Sequence, residues 1–325
     1  MQDSNFYYLD INSSGNHSKP IQNAFSNKTK NIVSDHNKTD QIEAIRRGNH
    51  LRSIIENELE KAGNRVTIIS GESISIMPQE SLVDFRGTLS KYFDDIQLVG
   101  YIRPPASFIE SAFQQVVKGG ASDFNLRRLY PRYRRNFSRI ESVFGQENVS
   151  YWNFDTKSFP SGCVVTDFCS RLGIEINQNS IIKVNESLSL PAIKLLYTFR
   201  KFSSEVNAKR LSTAEEHVLI NALSDLDGPK IKFHSSLLRP ILRDNRSSTK
   251  WMERRLGSSL EQTISNTKLS IKSEEGLLSI GKIPKRWLSD KLGTKHHKKW
   301  KHELTSIDIA EWMKLYREKL LLERR

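Results

Sequence analysis

A chain of 325 residues, 37% of them hydrophobic, is long enough to bury one large α/β core with additions. No run approaches the roughly 18 apolar residues of a membrane span, no charged-then-apolar leader opens the chain, and Cys163 and Cys169 alone cannot build a disulfide scaffold or a zinc module. The expectation is a cytoplasmic protein without a metal, and the formal charge of +13 points to an anionic partner: a nucleotide, an acidic glycan, a membrane surface or a nucleic acid.

Residues 1–38 read as a polar, loop-rich segment whose apolar anchors are few: Phe6, Tyr7, Tyr8, Leu9 and Phe25. No strand is expected there. Within it, Gly15-Asn16-His17-Ser18 combines turn formers with a histidine, either a loop residue or an acid/base group. Ile42, Ile45, Ile54, Ile55 and Leu59 recur at helical spacing and Gly63 closes that helix. A short β-branched strand over 65–70 follows, then Gly71-Glu72-Ser73, and Pro78 opens a helix with Phe85, Leu89 and Phe93 on its core face.

The stretch 96–120 carries the most information. Ile96, Leu98, Val99, Tyr101 and Ile102 make an apolar run of strand length, Arg103 ends it, and Pro104-Pro105 start a helix that runs towards Gly119. Phe108, Ile109, Ala112, Phe113, Val116 and Val117 form its apolar stripe; Ser107, Ser111, Gln114 and Lys118 lie on the other face. Arg103 and Ser111 are expected to meet at the carboxyl end of the strand, the edge at which open α/β sheets bind ligands.

A helix over 127–144 comes next, with Tyr133, Phe137, Ile140 and Phe144 inward and Arg128, Arg132, Arg135 and Arg139 sharing another face, either solvated or in contact with an anion. A strand over 149–154 and a helix ending at Leu172-Gly173 follow. The second half reads as helical, with capping boxes at Thr213/Glu216 and Thr305/Asp308. Its basic run Lys295 to His302 has one Trp and no spaced aromatic platform, which argues against nucleic acid. The alternation of helices and strands predicts an α/β fold with a doubly wound, mostly parallel sheet and a helical C-terminal half. The division expected is a segment 1–38, a domain 39–263, and a basic segment with a final helix over 264–325.

Arg103, Pro105 and Ser111 stand in R-x-P-x-x-x-x-x-S, which resembles the 3′-phosphate-binding segment of sulfotransferases that use 3′-phosphoadenosine 5′-phosphosulfate (PAPS). Ser107 stands where that family often has an acidic residue. Asn16-His17-Ser18, Ser70-Gly71-Glu72, Asp167-Phe168-Cys169-Ser170-Arg171-Leu172-Gly173, Val184-Asn185-Glu186-Ser187-Leu188-Ser189 and Trp251-Met252-Glu253-Arg254-Arg255-Leu256-Gly257 extend the resemblance to bacterial glycan-modifying members, over roughly four-fifths of the chain. It implies a P-loop sulfotransferase fold and sulfuryl transfer from PAPS to a hydroxyl or amine of a glycan or similar acceptor. Arg103, Ser111 and Ser107 would bind the donor. Glu72, just beyond a strand end, is the candidate acceptor base, with His17 second. One departure stands out: the family's opening strand, G-x-x-K-[ST]-G loop and helix have no recognisable counterpart, so the chain is expected to be inactive as it stands. The alternative is a non-catalytic relic of the fold, or a basic protein that holds an anionic polymer.

Overall fold

The computed structural model describes residues 5–11, 15–26, 38–181, 187–209, 212–293 and 304–324. In chain order its elements are β1 (Phe6–Tyr8), α1 (Ser18–Ala24), α2 (Lys38–Ala62), β2 (Val66–Ile68), α3 (Gln79–Leu89), β3 (Leu98–Ile102), α4 (Pro105–Lys118), α5 (Tyr133–Phe144), β4 (Val149–Asn153), α6 (Val164–Arg171), α7 (Leu190–Lys201), α8 (Thr213–Leu223), α9 (Ser235–Asp244), α10 (Arg246–Leu256), α11 (Glu274–Leu278), α12 (Lys282–Leu292) and α13 (Ser306–Leu322). They form two compact units. The first comprises Met1–Arg103, Arg132–Ile182 and Ser247–Ser259; the second comprises Pro104–Pro131, Lys183–Arg246 and Leu260–Arg325. The basic run Lys295 to His302 and the phrase Val184-Asn185-Glu186 lie outside the described residues.

All four named strands belong to the first unit. β1 pairs in parallel with β2, Phe6 opposite Val66 and Tyr8 opposite Ile68, and β3 pairs in parallel with β4, Leu98 opposite Val149 and Ile102 opposite Asn153. The fold is therefore α/β with parallel pairing, but among the described residues the strands make two separate two-stranded ladders where one doubly wound sheet was expected. β2 shows why: of its three residues only Ile68 is buried and Val66 is exposed, so it lacks the two covered faces of an inner strand.

The largest correction concerns residues 1–38. They contain the strand β1 and the helix α1, where a loop-rich segment without a strand was expected. Three consecutive aromatic residues favour extended backbone. Leu9, Ile11, Ile21 and Phe25 are then sealed into the core with Ile55, Leu59, Met77, Leu82, Phe85 and Leu89, and the Phe25 and Phe85 rings meet edge to face at 4.9 Å. The strand is short and its anchors are scattered among polar residues, so the pattern is weak in sequence although the burial is complete.

Two helices also differ from expectation. The helix over 127–144 is broken: a 3-10 turn, Leu126–Leu129, belongs to the second unit, and α5 starts only at Tyr133, after Pro131 and an Arg132 held at φ 32° in the left-handed region. In α4 the face opposite the apolar stripe is partly internal. Glu110 and Gln114 are buried beside Ile109, Phe113 and Val117, because Lys232 (2.6 Å) and the Phe233 N–H (3.3 Å) satisfy the Glu110 carboxylate. Elsewhere in the second unit, α13 buries Ile309, Trp312, Met313 and Tyr316 as it packs on α7. Its capping box is Thr305/Asp308, as expected, whereas α8 is capped by Ser212 and Glu215, one residue earlier than Thr213/Glu216. Glu216 instead pairs with Arg200 at 2.6 Å. No helix of the described residues is long and apolar enough to cross a membrane.

Candidate functional site at the strand ends of the first unit

The chain leaving β1 and the chain leaving β2 are laced together. The His17 N–H donates to the Ser70 carbonyl at 2.9 Å, and the Ser70 N–H donates back to His17 Nδ1 at 3.0 Å. A ring whose Nδ1 accepts carries its proton on Nε2, so His17 is neutral in this arrangement. It is 0% exposed. Burial holds its pKa below the ordinary histidine value, against the opposite pull of the Leu9 carbonyl and Asp10. The Tyr8 ring lies 4.9 Å away, and its hydroxyl donates to the Gly15 carbonyl at 2.8 Å. One turn further, the Ser73 N–H donates to Ser18 Oγ at 3.1 Å. Gly71 allows this close approach, since a Cβ there would stand 3.1 Å from the Ser18 nitrogen. His17 is thus an internal brace of the connection.

Glu72 is exposed and opens a 3-10 turn, Glu72–Ile76. Arg103 follows β3 directly. Its guanidinium lies 4.1 Å over the ring of Phe154, the residue after β4, and the Phe154 N–H prolongs the ladder by donating to the Ile102 carbonyl at 2.9 Å. The Tyr133 hydroxyl, from the start of α5, donates to the Arg103 carbonyl. Among the described residues the Arg103 side chain has no hydrogen bond and no ion pair. Burial pulls its pKa down from the ordinary arginine value, while the Glu72 carboxylate and Tyr133 act in the opposite direction. The carboxyl ends of β2, β3 and β4 therefore bring together a half-desolvated guanidinium on an aromatic ring, a solvent-facing carboxylate whose charge reaches it, and a phenol that fixes the intervening backbone.

Of the residues singled out in sequence, Glu72, His17 and Arg103 share the first unit; Ser107 and Ser111 lie on α4 in the second. Ser107 is engaged within α4 and its surroundings, its hydroxyl donating to the Pro104 carbonyl at 3.1 Å and its N–H to Gln262 Oε1 at 3.0 Å. Ser111 is half-buried with no hydrogen bond among the described side chains. Ser70, Tyr133 and Phe154 were not identified as site residues. Phe154 was visible as the end of an alternating strand, and Tyr133 as a core position and, with Tyr130, as part of the family resemblance; neither was tied to Arg103, because their contacts with it span 51 and 30 residues of chain.

No family model matches the chain, and no solved structure matches it. It is similar to an uncharacterized protein of Archaeoglobus fulgidus, 27% identical over 162 residues, which is 49% of this chain and 44% of that protein. The match thus spans less than half of that relative's length.

Proposed function

We propose that this chain is a sulfotransferase of the P-loop type that moves a sulfuryl group from PAPS to a hydroxyl or amine of a glycan or similar acceptor. The observation that carries this reading is Arg103. A guanidinium that has lost part of its water and has no acceptor gains from an anion, and its planar fork suits a phosphate. Stacking on Phe154 limits its rotamers before any ligand arrives. Its place after a parallel strand is where α/β folds bind nucleotides. Glu72 takes the acceptor proton while the acceptor oxygen or nitrogen forms its bond to sulfur and the bond from sulfur to the donor's phosphate oxygen breaks, which releases adenosine 3′,5′-bisphosphate. His17 keeps the β1–α1 connection in register with β2 and does not face the reactants.

A second reading, a basic protein that holds an anionic polymer without chemistry, is favoured by one feature: Gly15-Asn16-His17-Ser18-Lys19-Pro20 departs from G-x-x-K-[ST]-G, and Pro20 has no amide proton to offer the donor's sulfate. Titration calorimetry with adenosine 3′,5′-bisphosphate separates the two. The parent is expected to bind, and Arg103→Ala to bind more weakly by about 1.5–3 kcal/mol, the increment of a charged hydrogen bond. A parent protein without measurable affinity for the nucleotide would leave only the second reading.

A further inference from the structure

Most arginines for which the structure gives a side-chain contact are spoken for by carboxylates. Arg52 is paired with Asp84 at 2.7 Å, Arg127 with Asp244 at 2.7 Å, Arg171 with Asp167 at 2.7 Å, Arg200 with Glu216 at 2.6 Å and Arg255 with Glu141 at 2.9 Å. The helix α5 is different. Arg135 and Arg139 are four residues apart on one side, about 6 Å apart along the axis, and Arg132 stands just before them at the N-cap. Among the described residues none of the three has an ion pair. The acid of this helix, Glu141, is already held by Arg255 and by the Tyr151 hydroxyl, which donates to it at 3.0 Å.

Three further features distinguish this row from an ordinary solvated face. Arg139 is half-buried and clamped along the helix, Nε donating to the Arg135 carbonyl at 3.2 Å and Nη2 to Asn136 Oδ1 at 3.3 Å, so its cation is fixed in place. Burial lowers the Arg139 pKa from its ordinary value, and the charge of Arg135 one turn earlier acts in the same direction. Arg132 occupies a left-handed backbone conformation at φ 32° that disfavours any residue with a Cβ, and strain of this kind persists where surrounding structure imposes it and is concentrated at functional sites. The row begins beside Tyr133, whose hydroxyl holds the Arg103 carbonyl, and so starts at the rim of the candidate site.

We infer that Arg132, Arg135 and Arg139 form a binding track for an oligosaccharide bearing carboxylate or sulfate groups, the acceptor chain whose free hydroxyl is presented to Glu72. This inference rests on the sulfotransferase reading for the acceptor's role, and on the unpaired cations for its charge. A nucleic acid suits the row less well. Base stacking needs aromatic rings beside the cations, and the rings of α5 are turned inward: Tyr133 is 2% exposed and Phe137 packs on the core.

The test measures binding of three probes to the full chain: an oligogalacturonate of defined length, a neutral oligosaccharide of equal length, and a single-stranded oligonucleotide of matching charge. The parent is expected to bind the oligogalacturonate with an affinity that falls as salt rises, and to ignore the neutral probe. Arg135→Gln combined with Arg139→Gln is expected to bind it about tenfold or more weakly and with a shallower salt dependence, with affinity for adenosine 3′,5′-bisphosphate unchanged. Arg132→Gly removes a cation while relieving the left-handed backbone, so it should melt no lower than the parent and still bind the oligogalacturonate less well. Equal affinity of parent and double variant, no binding by the parent, or tighter binding of the oligonucleotide through the same two arginines would overturn the proposal. Oligogalacturonate bound through the row by a protein with no affinity for the nucleotide would instead sink the sulfotransferase reading and leave the track as a polyanion site.

Discussion

Glu72 and His17 were paired in sequence as alternative bases, and their surroundings separate them. Glu72 stands in solvent within reach of the Arg103 charge, whereas His17 is sealed and its Nδ1 is the acceptor for the Ser70 N–H. Protonation of His17 would turn that acceptor into a donor facing a donor. The linkage has a definite sign. Its folded pKa lies below the unfolded value of about 6.5, so as pH falls through that value the unfolded chain takes up protons that the folded one refuses, and stability declines. Asp10 and the Leu9 carbonyl, which favour the charged form, soften the effect without reversing it. Acidification from pH 7.5 to 5.5 is expected to lower the melting temperature of the parent more than that of His17→Asn, whose amide oxygen can still accept from Ser70. Parallel pH curves for the two proteins would remove His17 from this role.

At the scale of elements, the packing of α1 on α2 turns on Gly48. A glycine inside a helix costs about 1 kcal/mol relative to alanine, yet here a Cβ would stand 2.9 Å from the Asn23 carbonyl of α1. Gly48→Ala should therefore destabilise the protein by about 1–3 kcal/mol in denaturant titrations in spite of its better helix propensity, because backbone must move to admit the methyl. An alanine variant as stable as the parent would show that α1 yields freely. The same elements mark what the sequence made legible. The long periodic helix α2, the cap of α13 and the Ile102-Arg103-Pro104-Pro105 junction between β3 and α4 all carry local signals, and the structure has them within a residue or two. β1 has three residues and owes its strand conformation to β2, which no local window contains. The buried face of α4 depends on Lys232, 122 residues from Glu110. Arg103 was singled out from its neighbours in sequence, but the ring beneath it and the phenol on its carbonyl are tertiary.

Across the whole molecule the chain alternates between units, passing from one to the other after Arg103, Pro131, Ile182, Arg246 and Ser259. No cut near the end removes a self-contained piece. A chain ending at Ser259 loses α11, α12 and α13, and with them the cover that Ile309, Trp312, Met313 and Tyr316 give to the second unit, where Leu195, Leu196, Tyr197 and Phe199 of α7 are fully buried. Hydrogen exchange should then show the α7 amides, protected in the full chain, exchanging orders of magnitude faster in the truncated one. Unchanged protection of α7 would mean that the last 66 residues, 260–325, are dispensable to the second unit's core.

The pairing of Phe6–Tyr8 with Val66–Ile68 also sets a timetable. At synthesis rates of about 5–20 residues per second, the first strand is finished on the order of 3 to 12 seconds before the strand that must receive it. His17 waits a comparable time for Ser70, 53 residues later. The first unit is completed only when Ser247–Ser259 has been made. The aromatic segment Phe6–Tyr8 thus stays unsheltered until Val66–Ile68 has been made, and it is paired long before Ser247–Ser259 closes the unit around it.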